Sequence, residues 1–166
     1  MLSAVKRLIR GDIALAYEEA GDGEPALVFV HGVACHRGFW TGQLTYFASA
    51  HRVVTVDLRG HGASDAPWQR YTVEAFADDL GWMCEQLEIA CPVLIGHSLG
   101  GLVALELAAS ARERAAAAVL IDSVLLPGAD RDAAVNRLVA SLRSDDAESA
   151  LREYFVTFSA PTIART

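Results

Sequence analysis

The chain has 166 residues and is 52% hydrophobic by composition, enough apolar surface for one domain with its own core, which excludes an intrinsically disordered protein. Lys+Arg 14 against Asp+Glu 21 leave a formal charge of -7, so no global positive field draws in nucleic acid or anionic lipid, and a small-molecule substrate fits better. The longest apolar run, Ala115 to Ile121, is too short to cross a bilayer, and the segment from Met1 to Ile9 lacks the apolar stretch of a signal peptide, which points to a soluble cytoplasmic protein.

Val5 to Ile9 and Ile13 to Glu18 read as two short strands joined at Gly11-Asp12, a turn pair suited to a hairpin. After a loop at Gly21 to Pro25, continuous apolar runs recur at Ala26 to Val30, Val53 to Val56, Pro92 to Ile95 and Ala117 to Ile121. Such runs mark strands buried on both faces of a parallel sheet. Helix candidates lie between them, at about Phe39 to Ser49, Thr72 to Leu87 and Leu99 to Ala109. Strand and helix therefore alternate, and the expected class is α/β with a doubly wound, mostly parallel sheet. Residues 1–122 form this core. Beyond Leu125-Leu126-Pro127-Gly128 the character changes, and Ala129 to Phe158 reads as two polar-surfaced helices in a separate segment, 123–166. Ala147, Leu151, Tyr154, Phe155 and Phe158 share one helical face, which serves either ordinary packing or a lid over a pocket. Cys35, Cys84 and Cys91 are odd in number and lack ligand spacing, so they read as three buried thiols.

The segment with the most chemistry in it is Gly96-His97-Ser98-Leu99-Gly100-Gly101. It lies between an apolar strand and an apolar helix, the context that a G-x-S-x-G nucleophile elbow requires. A turn this tight forces the serine into a strained backbone conformation, and Gly96 and Gly100 must lack side chains for strand and helix to pass closely. The helix N-terminus beneath Ser98 offers unpaired N–H groups and a partial positive charge, both suited to an oxyanion, with the Leu99 N–H as one donor. The second donor is expected from the loop that begins His31-Gly32-Val33, at the Val33 N–H; His31 itself is read as holding its own turn.

Three separated motifs, His31-Gly32, Asp57-Leu58-Arg59-Gly60-His61-Gly62-Ala63-Ser64 and Gly96 to Gly101, occur in the order and spacing of the α/β-hydrolase superfamily, and the chain resembles that superfamily from Met1 to about Asp122. The resemblance implies Ser98 as nucleophile with Leu99 and Val33 as oxyanion donors. It implies a structural role for Asp57, Arg59 and Ser64, which tie a loop together, and the start of a helical cap after residue 122. It also implies a family core of two further strands, on the order of 60 residues past Thr166. On that basis the sheet is expected to be incomplete at its C-terminal side, leaving Ala117 to Ile121 as an exposed apolar edge open to self-association.

A serine hydroxyl needs a base, usually a histidine oriented by a carboxylate, and in this fold the chain order is Ser, acid, His. His31, His36, His51, His61 and His97 all precede Ser98. No residue fills the family's histidine position. His97, next to the nucleophile, is expected to face away from it, because neighbours at a strand end alternate. Asp122, ending the strand after the elbow helix, is the candidate acid, with strand-end hydrogen bonding as its other role. Asp145, Asp146 and Glu148 read as surface charges. No ligand cluster or dinucleotide fingerprint implies a metal or an organic cofactor. Two functions remain: a serine hydrolase acting on a carboxylic ester or related carbonyl compound through an acyl-enzyme, or a non-catalytic ligand-binding or interaction protein that keeps the pocket.

Overall fold

Each apolar run forms a strand, and the Gly11-Asp12 pair makes the first reversal. In the computed structural model, which describes residues 4–110, 114–123 and 149, strands β1 (Lys6–Arg10) and β2 (Ile13–Ala20) pair antiparallel across that turn. Strands β3 (Leu27–Val30), β4 (Val53–Val56), β5 (Val93–His97) and β6 (Ala117–Ile121) follow, separated by helices α1 (Thr41–Phe47), α2 (Val73–Gln86) and α3 (Leu99–Ser110). The spatial order is β1-β2-β4-β3-β5-β6, with β2 antiparallel to β4 and the last four strands parallel to one another. This is the α/β, mostly parallel sheet that the alternation of runs predicts.

The chain divides into two compact units, Met1–Val124 and Leu125–Thr166, and the sheet belongs to the first. The helices expected from Ala129 to Phe158, and the shared face of Ala147, Leu151, Tyr154, Phe155 and Phe158, lie outside the described residues.

Continuous apolar runs are needed because both faces of the central strands are covered. Successive side chains of β3 point to opposite sides. Val28 and Val30 join Val54, Val56 and Leu94 under Phe76 and Leu80 of α2 and Val103 and Leu107 of α3. Leu27 and Phe29 join Val53 and Ile95 under Trp40 and Leu44. Each of these side chains stabilises the fold by roughly 1.5–3 kcal/mol through removal from water. Strand β6, by contrast, is the last of the sheet among the described residues, and its Val119 and Ile121 are exposed.

Two expectations need correction. A 3₁₀ turn at Arg37–Trp40 precedes α1, where a single helix from Phe39 was expected; His36 caps it, its Nδ1 accepting from the Gly38 N–H. Only Cys84, in α2, is a buried thiol, whereas Cys35 is half-buried and Cys91 exposed. Both of the latter sit in connections between elements, which run over the surface. Burial pushes the Cys84 thiol up to about 12, so it stays protonated and inert.

Chain order and spatial order together place the site. From β3 the chain steps outward to β4, then returns past β3 to β5. That change of direction opens a crevice at the carboxyl ends of β3 and β5, where open α/β sheets bind ligands. Residues 31–33 and Ser98 follow those two ends.

Candidate active site

Ser98 occupies the one residue between the end of β5 and the start of α3, at φ 51°. This left-handed conformation costs on the order of 1–3 kcal/mol and persists only where its surroundings enforce it. They do so by close backbone packing. A Cβ on Gly96 would strike the Gly100 carbonyl, and one on Gly100 would strike the Val30 carbonyl. The Ser98 N–H donates to the Ile121 carbonyl at 2.9 Å, and the Ser98 carbonyl accepts from Gly101 at 3.1 Å and Leu102 at 3.4 Å. The first-turn amides of Leu99 and Gly100 have no acceptor within the helix, as at any helix N-terminus, and they lie beside the serine.

The loop after β3 faces this elbow across Gly32. A Cβ there would lie 3.0 Å from His97 Nδ1 and 3.2 Å from Ser98 Cβ, so both side chains flank the same glycine. His97, expected to face away from the Ser98 hydroxyl, sets its ring against this glycine. The Cys35 N–H donates to the Gly32 carbonyl at 3.2 Å, closing a turn in which Ala34 has φ 56°. In such a turn the amide of the second residue, Val33, is not used by the closing bond.

His31 anchors the base of the loop. It is 1% exposed; its Nε2 accepts from the Leu58 N–H at 3.1 Å, so its Nδ1 carries the proton and donates to the Gly32 carbonyl at 2.8 Å. Burial pushes its pKa down to about 4, and the ring stays neutral near pH 7.

A second tie, not foreseen from sequence, joins the same two loops farther along. The Asp57 carboxylate accepts from the Arg37 N–H at 2.6 Å, from Arg37 Nη1 at 2.5 Å and from the Ala63 N–H at 2.8 Å. Ser64 Oγ donates to the Asp57 carbonyl at 2.7 Å and accepts from the Ala16 N–H at 2.8 Å. Asp57 and Ser64 thus tie the loop as expected. Arg59 reaches instead to Asp79 of α2, to which Arg10 of β1 also donates, at 2.7 Å. Arg37 and Asp79 carry no local signal, since their partners lie 20 residues away.

Comparison with known proteins fits this arrangement. The sequence model of the alpha/beta hydrolase fold family matches residues 25–159. The chain belongs to that family. It is 34% identical over 104 residues to 3-oxoadipate enol-lactonase 2 of Acinetobacter baylyi, covering 62% of this chain and 39% of the lactonase. Among solved structures it is similar to a thermophilic esterase from Thermogutta terrifontis (TM-score 0.80, 29% identity, 93% of this chain and 58% of the esterase). A hydrolase from Pseudomonas aeruginosa is also similar (TM-score 0.78, 28% identity, 96% and 63%). The chain spans 25% to 41% of the length of the named curated relatives it matches.

In an α/β-hydrolase the remaining question is the proton acceptor. His31 and His36 have no lone pair to offer, because one ring nitrogen of each already accepts from a backbone N–H and the other holds the proton. His51 lies at the opposite end of β3, its Nδ1 bonded to the Pro25 carbonyl at 2.9 Å. His61 turns Nδ1 to the Arg59 carbonyl at 3.1 Å and sets its ring between His31 and Phe76. Asp122 is exposed, at φ 49°, immediately after the Ile121 whose carbonyl holds the Ser98 amide. Among the described residues no three His, Cys, Asp or Glu side chains converge as metal ligands do, and no helix is long and apolar enough to cross a membrane.

Proposed function

We propose that Ser98 is the nucleophile of a serine hydrolase that acts on a carboxylic ester or related carbonyl compound through an acyl-enzyme. The observation that carries this reading is the left-handed Ser98 between β5 and α3, with Gly96 and Gly100 closed on backbone, because a serine held in that strain between a strand and a helix is the geometry of a nucleophile elbow. Attack by Oγ on the substrate carbonyl, its proton passing to a base, forms a tetrahedral oxyanion, which the Leu99 and Val33 N–H groups receive; collapse breaks the bond to the leaving oxygen, which takes that proton and departs as the alcohol, leaving the acyl group on Ser98. Asp122 is the candidate acid that would orient a base. The names of the similar enzymes, an enol-lactonase and an esterase, favour ester and lactone substrates.

A second reading, a ligand-binding protein that retains the pocket, is favoured by one specific observation. All five histidines precede Ser98, and in two of them, His31 and His36, a ring nitrogen is already taken up accepting from a backbone N–H. A fluorophosphonate probe separates the two. Labelling that disappears in Ser98→Ala, and that accelerates when free imidazole supplies a base, supports the hydrolase. A folded protein that stays unlabelled with and without imidazole rules the hydrolase out in favour of the binding protein.

A further inference from the structure

Among the described residues three buried side-chain atoms have no hydrogen-bond partner: Arg37 Nε, Trp40 Nε1 and Thr55 Oγ1. They belong to different elements, but sheet register and packing bring their residues to one face of the sheet. Thr55 of β4 points to the same side as Val53, into the Leu27, Phe29 and Trp40 cluster. Its register partner on β2 is Glu18, and two residues on, just past the end of β4, stands Asp57. Arg37 Nε lies 3.3 Å from Glu18 Oε2 while its Nη1 bonds Asp57. The guanidinium therefore spans from Glu18 to Asp57, across Thr55. Trp40 is three residues on from Arg37 in the 3₁₀ turn, where side chains at that spacing eclipse. Its ring packs 5.0 Å from that of Phe29, and Phe29 is the register partner of Thr55 on β3.

We propose that this point holds a buried water molecule that fastens the 3₁₀ turn to β4. The donor and acceptor inventory suits water and little else. Trp40 Nε1 and Arg37 Nε can only donate, so they fill the two lone pairs of one water, whose two hydrogens then reach Thr55 Oγ1 and the Glu18 carboxylate. A cation is refused by the two N–H donors, and an anion by the Glu18 and Asp57 carboxylates on either side. Buried waters in proteins make about three such bonds to otherwise unpaired groups. The water completes what Asp57 begins: it fixes the far end of the loop that carries Val33. It stands whether or not Ser98 is catalytic.

A crystal structure of the chain that resolves ordered solvent tests the inference. One oxygen-sized peak within about 3.2 Å of all three atoms is expected, absent in Thr55→Val with the backbone unchanged and retained in Thr55→Ser. In solution, the indole proton of Trp40, identified by its loss in Trp40→Phe, is expected to show a magnetisation-exchange peak with water that Thr55→Val abolishes. The inference is overturned by a folded wild-type protein whose Trp40 indole shows no water peak. It is overturned equally by three atoms that bond protein groups, or by a bromide peak at that position after halide exchange. Should Thr55→Val fail to fold, the wild type and Thr55→Ser decide the matter alone.

Discussion

The elbow after β5 and the paired loops after β3 and β4 meet at Ser98, but they are held there by opposite means. The elbow is fixed by what is missing: without side chains at Gly96 and Gly100, backbone lies directly on backbone, and the strain at Ser98 is locked in by contact. The loops are fixed by what is present, chiefly the buried His31 bridge and the Asp57 carboxylate with three donors. Contact of the first kind is insensitive to pH and salt and intolerant of any added atom. Polar ties of the second kind tolerate shape changes better and fail when a charge or a proton changes.

The largest effect is expected from adding one carbon to the elbow. Gly100→Ala places a Cβ against the Val30 and His31 carbonyls, neither of which can move without shifting β3. A loss of about 4 kcal/mol or more is expected in denaturant unfolding. Gly42→Ala, in α1 with nothing within 4 Å of the new carbon, should instead gain roughly 0.5–1 kcal/mol. A tolerated Gly100→Ala would break the contact picture.

Next comes Asp57→Ala, which leaves the Arg37 guanidinium half-enclosed beside Glu18 and strips acceptors from Arg37 N–H and Ala63 N–H. Breaking a buried pair of this kind costs about 3–5 kcal/mol, whereas Lys6→Ala, which removes an exposed pair with Glu19, should stay within about 0.5 kcal/mol. Comparable losses in the two variants would mean that the clamp contributes no more than a surface pair.

A proton should act on the loops and spare the elbow. The folded pKa of His31 lies near 4, below its unfolded value of 6.5, because burial disfavours the charged ring. Between those values the unfolded chain binds more protons, so this contribution is complete above pH 6.5 and is lost as pH falls toward 4. The full shift corresponds to about 3 kcal/mol. Urea midpoints measured from pH 7 to 4.5 should fall, and the slope contributed by His31 should vanish in His31→Gln. An unchanged slope would detach the titration from this residue.

The smallest effect sharpens the elbow itself. Ser98→Gly removes the side chain from a left-handed position and should raise stability by about 1 kcal/mol while abolishing probe labelling. A destabilised Ser98→Gly would show that the hydroxyl, and not the contact geometry, holds the turn.

The same contrast explains what could be read from the chain beforehand. The strands and the elbow announce themselves because their signals are contiguous: four or five apolar residues buried on two faces, and six residues from Gly96 to Gly101 flanked by strand and helix. Asp57 and Ser64 read as loop ties from the resemblance of their motif, and their partners do include neighbouring backbone. The Arg37 bond to Asp57, and the pairing of Arg59 with Asp79 where a tie within the loop was expected, depend on how β3, β4 and α2 are packed. Likewise the cysteines were misjudged by type, since hydrophobicity alone does not show that Cys35 and Cys91 fall in connections.

The hydrogen bond from the Ser98 amide to the Ile121 carbonyl makes the outermost strand a built-in gauge of the nucleophile. A carbonyl responds in its vibrational frequency and chemical shift to the strength of the bond it accepts. An isotopic label at Ile121, on the partly exposed side of the sheet, therefore reports tension at Ser98 without an atom being placed in the crevice.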